Sequence, residues 1–230
     1  MKAFISWSGG KESCLSCYEA MQGKPPHQNL WCGGKDIEVS YLLNMISEDG
    51  RRSRSHGISV GLLRVQSEAM GIPILQIRSS WEDYEKRFKR AVLELKEKGI
   101  EAGIFGDIDL EQHRAWVERV CKEMGIKAIL PLWGREREDI LKEFINLGFE
   151  AIVVATSFDK NWLGRKIDKK FLQELKTLEE IDLCGENGEY HTFVTDGPIF
   201  KKRIKILETK IVNQGKNLFL DILSYFIEVK

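Results

Sequence analysis

Lys2-Ala3-Phe4-Ile5-Ser6-Trp7-Ser8-Gly9-Gly10-Lys11-Glu12-Ser13 opens the chain, and its reading decides the fold. Ala3 to Trp7 is a short apolar run suited to a buried strand. From Lys11 to Gln22 there is no Pro or Gly, and Cys14, Leu15 and Tyr18 fall at helical spacing. A strand, a glycine turn and a helix N-terminus make an anion site, because unpaired N–H groups and the positive end of the helix dipole converge there. Two glycines let the main chain approach a ligand closely. Ser8, Ser13 and Lys11 add side-chain donors. The stretch therefore predicts a phosphate cradle, with Ser6, Ser8, Gly9, Gly10, Lys11 and Ser13 as its lining.

The spacing fits neither the Walker A loop nor the dinucleotide fingerprint. Ser8-Gly9-Gly10-Lys11-Glu12-Ser13 instead resembles the S-G-G-x-D-S signature of the PP-loop ATP pyrophosphatases. That resemblance implies ATP as ligand, its pyrophosphate on the loop, and chemistry at the α-phosphate. Glu12 stands where that family has Asp, so a magnesium contact at Glu12 would reach one methylene further.

Downstream, strand-like runs alternate with helical ones: Val39–Ser47, then Ser59–Met70, Ile72–Ile77, Trp81–Lys98, Ala102–Gly106, Leu110–Met124 and Lys127–Leu130. Such alternation predicts βα units around a parallel sheet. Ligands in these sheets bind at the carboxyl ends of strands. That rule selects Trp7 to Gly10, Ile46 and Ser47, Gly106 and Asp107, and Pro131 to Trp133. Asp109 and His113, four residues apart, read either as a cation pair or as a helix cap and a helix-face residue. Arg51-Arg52-Ser53-Arg54-Ser55-His56 is either a solvated connection or a set of cations above phosphates, with His56 its best single candidate. Gly23 to Ile37 reads as a loop.

Past Pro131 the texture changes. Ala151–Ala155 is the clearest β run, and Lys201–Val212 and Leu218–Val229 read as strand, turn, strand. Between them lies Cys184-Gly185-Glu186-Asn187-Gly188-Glu189-Tyr190-His191, a glycine-rich turn ahead of a strand. Glu186, Glu189 and His191 are its candidate acid/base or metal-binding groups; the alternative is a solvated hairpin. The domains are expected at 1–130 and 131–230.

Composition narrows the class. Thirty-five basic against 35 acidic residues leave no formal net charge, which argues against a globally basic nucleic-acid binder. No apolar run approaches the ~18 residues of a membrane span. No signal peptide fits ahead of the first strand, so a cytoplasmic location is expected. The five cysteines are scattered and odd in number. Cys14 and Cys17 read as small apolar packing on one helix face, with a redox or iron–sulfur pair as the alternative.

The resemblance reaches along nearly the whole chain. His56-Gly57-Ile58-Ser59, Gln66 to Pro73, Gly106 to Asp109, Pro131 to Arg135, Trp162 to Arg165 and Gly185 to Val194 follow the loop in the order seen in the diphthine–ammonia ligase family. It implies an adenine-nucleotide α-hydrolase, Rossmann-like domain followed by a smaller α/β C-terminal domain. It implies a ligase using ATP and Mg²⁺ to adenylate a carboxylate, with ammonium as nitrogen source. The acceptor it implies is diphthine on the translation elongation factor. A homodimer is among the states expected. Asn187 and His191 depart from the G-E-G-G-E-Y-E-T form usual in diphthamide enzymes, which leaves a cobalamin-related acceptor open. A tRNA-modifying thiolase using Cys14 and Cys17, or a nucleotide-sensing module, are the rival readings.

Overall fold

The first strand, β1 (Lys2–Ser6), lies at the centre of a five-stranded parallel sheet. Ala3, Phe4 and Ile5 are fully buried, as expected for a strand covered on both faces. β2 (Glu38–Ile46) and β3 (Ile74–Arg78) extend the sheet on one side of β1, and β4 (Ala102–Ile104) and β5 (Lys127–Ile129) on the other. The strand order β3-β2-β1-β4-β5 reverses between β1 and β4. The segments leaving those two strands carry Trp7–Gly10 and Phe105–Asp107, so the crevice rule points at both. The computed structural model describes residues 1–23, 37–214 and 217–230. Most of the Gly23–Ile37 loop, Cys32, and the centre of the turn after Asn213 lie outside them.

Two compact units divide the chain. The first comprises 1–8, 12–55 and 72–135, and holds the parallel sheet with most of α1 (Lys11–Met21) and the whole of α3 (Tyr84–Glu97) and α4 (Glu111–Met124). Its core gathers Phe4, Phe88 and Phe105, with Phe4 edge-on to both other rings at 6.0 Å, around Val92, Leu95 and Val120. α3 begins at Tyr84 and not at Trp81. Ser80 and Asp83 bond each other instead, Ser80 N to Asp83 Oδ1 at 2.7 Å and Asp83 N to Ser80 Oγ at 3.0 Å, and this closed turn delays the helix. The cap position of α4 falls on Leu110, one residue after Asp109.

The second unit comprises 9–11, 56–71 and 136–230. It contains α2 (Val60–Met70), α5 (Arg137–Asn146), α6 (Lys169–Leu175) and an antiparallel sheet. The strands are β6 (Glu150–Thr156), β7 (Tyr190–Asp196), β8 (Lys202–Gln214) and β9 (Asn217–Val229), in the order β7-β6-β9-β8. Ser59 caps α2 by accepting from Leu62 N, and Gly71 ends it in the left-handed region. Trp162, Phe171 and Tyr190 meet edge to face, and Phe144 stacks on Phe149 at 4.8 Å. The fold is thus of the α/β, Rossmann-like type with an antiparallel-sheet C-terminal region.

Candidate active site

Gly9, Gly10 and Lys11 belong to the second unit and are anchored there on β7 and α2. Val194 N donates to Gly9 O at 3.0 Å. Gln66, fully buried on α2, donates from Nε2 both to Gly9 O (3.1 Å) and to Val194 O (2.7 Å), so one amide clamps loop and strand together. Lys11 N donates to Thr192 Oγ1 at 3.0 Å. This satisfies one of the orphan donors at the start of α1.

The two glycines are required by this packing. Gly9 has φ +82°, and a Cβ there would stand 2.5 Å from Leu63 Cδ2. At Gly10 a Cβ would stand 2.3 Å from His56 Cε1 and 3.2 Å from Thr192 O. The absence of a side chain at Gly10 is what lets His56 lie over the loop.

His56 stacks on His191, ring centroids 4.6 Å apart and 21° from parallel, with Nδ1 3.2 Å from Thr192 O. Burial, and then the charge of Lys11, push His56 down to about 4, against a raising influence from the Thr192 carbonyl. His56 is therefore neutral at pH 7. Lys11 itself is 3% exposed; its Nζ donates to Cys184 O at 2.6 Å and lies 4.6 Å from the centre of the Tyr190 ring. The ammonium is thus held by a carbonyl and an aromatic face.

Glu189 holds its own turn. Its Oε1 accepts from Asp182 N (3.0 Å) and Asn187 Nδ2 (3.3 Å), and Oε2 from Asn187 N (3.1 Å). Asp182 in turn accepts from Cys184 N at 2.7 Å and pairs with Arg137 at 2.7 Å. Gly185 has φ +72° and passes so close to Tyr190 that a Cβ would stand 2.6 Å from its carbonyl oxygen. Glu186 is half-buried in the same turn.

In the first unit, Ser8 Oγ and Ser13 Oγ are 3.2 Å apart. Ser6 ends β1, and Trp7 N continues the ladder to Leu43 O at 2.8 Å. Asn44, buried on β2, donates to Trp7 O (2.8 Å) and Ser53 Oγ (3.0 Å), fixing the strand exit. Gly106 lies against the first turn of α1: a Cβ would stand 3.2 Å from Glu12 C and 3.3 Å from Ser13 N. Asp107 Oδ1 is 3.1 Å from His113 Nδ1, so His113 meets Asp107, six residues away. Among the described residues no three His, Cys, Asp or Glu side chains converge as a metal cage. Glu12, in the first turn of α1, is the carboxylate nearest in sequence to the glycines.

Cys14 and Cys17 are fully buried on α1. Burial raises the Cys14 thiol well above its ordinary value and pushes Cys17 up to about 12, so both stay protonated. That is the chemistry of packing groups.

Two family models cover the chain, the diphthamide synthase N-terminal domain over residues 1–128 and its C-terminal domain over 136–227. The chain belongs to the diphthamide synthase family. Among characterised relatives, a diphthine–ammonia ligase of Bos taurus is 26% identical over 92% of this chain and 85% of its own length. The corresponding ligase of Homo sapiens is 29% identical over the same shares. A solved structure described as a predicted subunit of tRNA methyltransferase from Methanocaldococcus jannaschii covers 84% of this chain and 96% of its own, with TM-score 0.45 and 15% identity.

Within this family member the structure gathers Gly10, Lys11, His56 and His191, all expected from sequence. It adds Gln66, Thr192, Tyr190 and the Cys184 carbonyl, which sequence reasoning gave no role. Gln66 carried a usable signal. It sits three residues after Leu63 on the apolar stripe of α2, where a buried amide must find partners. Thr192 carried none, because β-branched residues in strands are ordinary.

Proposed function

We propose that this chain is an AMP-forming carboxylate–ammonia ligase that converts diphthine to diphthamide on the elongation factor. The observation that carries the reading is the pair of family matches, which together span both halves of the chain. The loop supports it: a glycine turn between β1 and α1, at a reversal of strand order, suits the pyrophosphate of ATP.

In this reading residues 1–130 bind ATP and residues 131–230 serve the acceptor. The acceptor carboxylate attacks the α-phosphorus of ATP, its oxygen forming the new P–O bond as pyrophosphate leaves. Ammonia then attacks the acyl carbon, AMP departs with the acyl oxygen, and one proton is released. Ser6, Ser8, Gly9, Gly10, Ser13 and Gly106 line the phosphates, and Lys11 turns from the Cys184 carbonyl toward the leaving pyrophosphate. Magnesium bound with the triphosphate would neutralise charge on the leaving group, and Glu12 is the side chain that would hold it. Asp107 and His56 border the nucleotide. His191 is the side chain proposed to accept the proton that ammonium must lose, with the neutral His56 ring stacked against it. Glu186 orients ammonium, and Glu189 acts by fixing the turn that carries it. Cytoplasmic operation fits these substrates, and no helix among the described residues is long and apolar enough to cross a membrane.

The test is incubation with diphthine-bearing elongation factor, ATP, Mg²⁺ and ¹⁵N-ammonium. The reading expects one ¹⁵N per acceptor, at the modified histidine, by peptide mass spectrometry. Unlabelled acceptor together with labelling of a cobalamin precursor would move the reading to the cobalamin-related amidation. The thiolase reading is disfavoured by the buried, protonated Cys14 and Cys17.

A further inference from the structure

β8 ends the antiparallel sheet, and no strand among the described residues pairs with its outer edge. β8 and β9 run 13 residues each, but β6 pairs with β9 only at Ala155–Phe219 and Thr156–Leu218. Beyond those positions the two strands form a ribbon supported mainly by each other. A two-stranded ribbon is marginal in water, and a long open edge normally invites pairing. This ribbon is also unusually apolar on its surface: Leu207 is 65% exposed, Ile211 54%, Leu223 52% and Phe226 45%.

The sequence of the edge is self-complementary. If a second β8 lies antiparallel with Thr209 on the two-fold axis, Glu208 faces Lys210, Leu207 faces Ile211 and Ile206 faces Val212, each pair occurring twice. Glu208 and Lys210 are both exposed, and across β9 Glu208 stands opposite Ser224 and Lys210 opposite Asp221. Opposite charges and paired aliphatics across a ladder each contribute favourably, whereas a register placing Lys205 against Lys210 would repel. The β8–β9 ladder shifts register between Ile206 and Thr209, and Leu207 falls outside its paired positions.

We propose that β8 is the homodimer interface: two copies of this chain join edge to edge through residues 205–213, making one continuous eight-stranded sheet across a two-fold axis. Such an isologous contact closes on itself and does not propagate into fibres. It uses a surface distinct from the glycine loop and stands whether or not the proposed ligase reading holds.

Sedimentation equilibrium of the full chain at micromolar to tens of micromolar concentration tests it. The wild type is expected as a dimer. Glu208→Lys, which sets lysine against lysine at two places, is expected to weaken association at least tenfold, and Glu208→Lys with Lys210→Glu to recover part of it. Leu207→Lys with Ile211→Lys is expected to be monomeric. All four positions are exposed, so far-ultraviolet circular dichroism should show each variant folded; a variant that fails to fold leaves the other two to decide. A monomeric wild type overturns the proposal, and so does a dimer whose association none of the variants changes.

Discussion

Lys11 is the residue where stability and the proposed chemistry meet. Its ammonium is buried between the Cys184 carbonyl and the Tyr190 ring, and its charge helps to hold His56 neutral. Lys11→Ala is expected to weaken ATP binding ten- to a hundredfold by calorimetry, the worth of one charge-assisted contact at about 1.5–3 kcal/mol. The same substitution should raise the His56 pKa, read from its imidazole proton shifts, because one of the two lowering influences is gone. Unchanged affinity in a folded variant removes Lys11 from the cradle. His56 also makes stability depend on pH. Its folded pKa, about 4, lies below the ordinary 6.5, so the unfolded chain binds more protons between those values. The contribution is complete above pH 6.5 and is lost as pH falls toward 4, about 2 kcal/mol of it by pH 5. Urea midpoints at pH 7 and pH 5 should show that loss in the wild type and a smaller one in His56→Phe.

Among the elements, the turn from Asp182 to Tyr190 shows what sequence reading can and cannot reach. Its glycines and carboxylates marked it as special. Which carboxylate does what depended on the backbone: Glu189 accepts three N–H donors from the turn itself. Glu189→Gln turns one acceptor into a donor facing donors, an unsatisfied contact that costs about 1–3 kcal/mol. A fall in thermal midpoint together with activity is expected; lost activity at an unchanged midpoint would make Glu189 a catalytic group instead. The parallel sheet was readable because apolar runs and helical periods alternate through residues 1–130 with glycine at the stops. The beginnings of α3 and α4 were misplaced by three residues and one, because Ser80 and Asp83 prefer to bond each other and Leu110 takes the cap position. The placing of α2 was not readable. Its amphipathic pattern says that one face is buried, and the clamp from Gln66 to Gly9 and Val194 is a contact across 57 and 128 residues of chain.

For the whole molecule, the glycine loop that sequence motifs assign to nucleotide binding takes its supports from residues far along the chain. Gly9 to Lys11 are fixed by Gln66, Cys184, Thr192 and Val194. Residue order alone could identify the loop but not what shapes it. The central claim is that this chain forms AMP by way of an acyl-adenylate that ammonia resolves. It is tested most directly by measuring nucleotide products with ATP, Mg²⁺ and diphthine-bearing acceptor, with and without ammonium. AMP and pyrophosphate released in equal amounts, and in step with amide formed only when ammonium is present, is the result the account predicts. ADP and phosphate as products, or AMP release that is indifferent to both ammonium and acceptor, would contradict it.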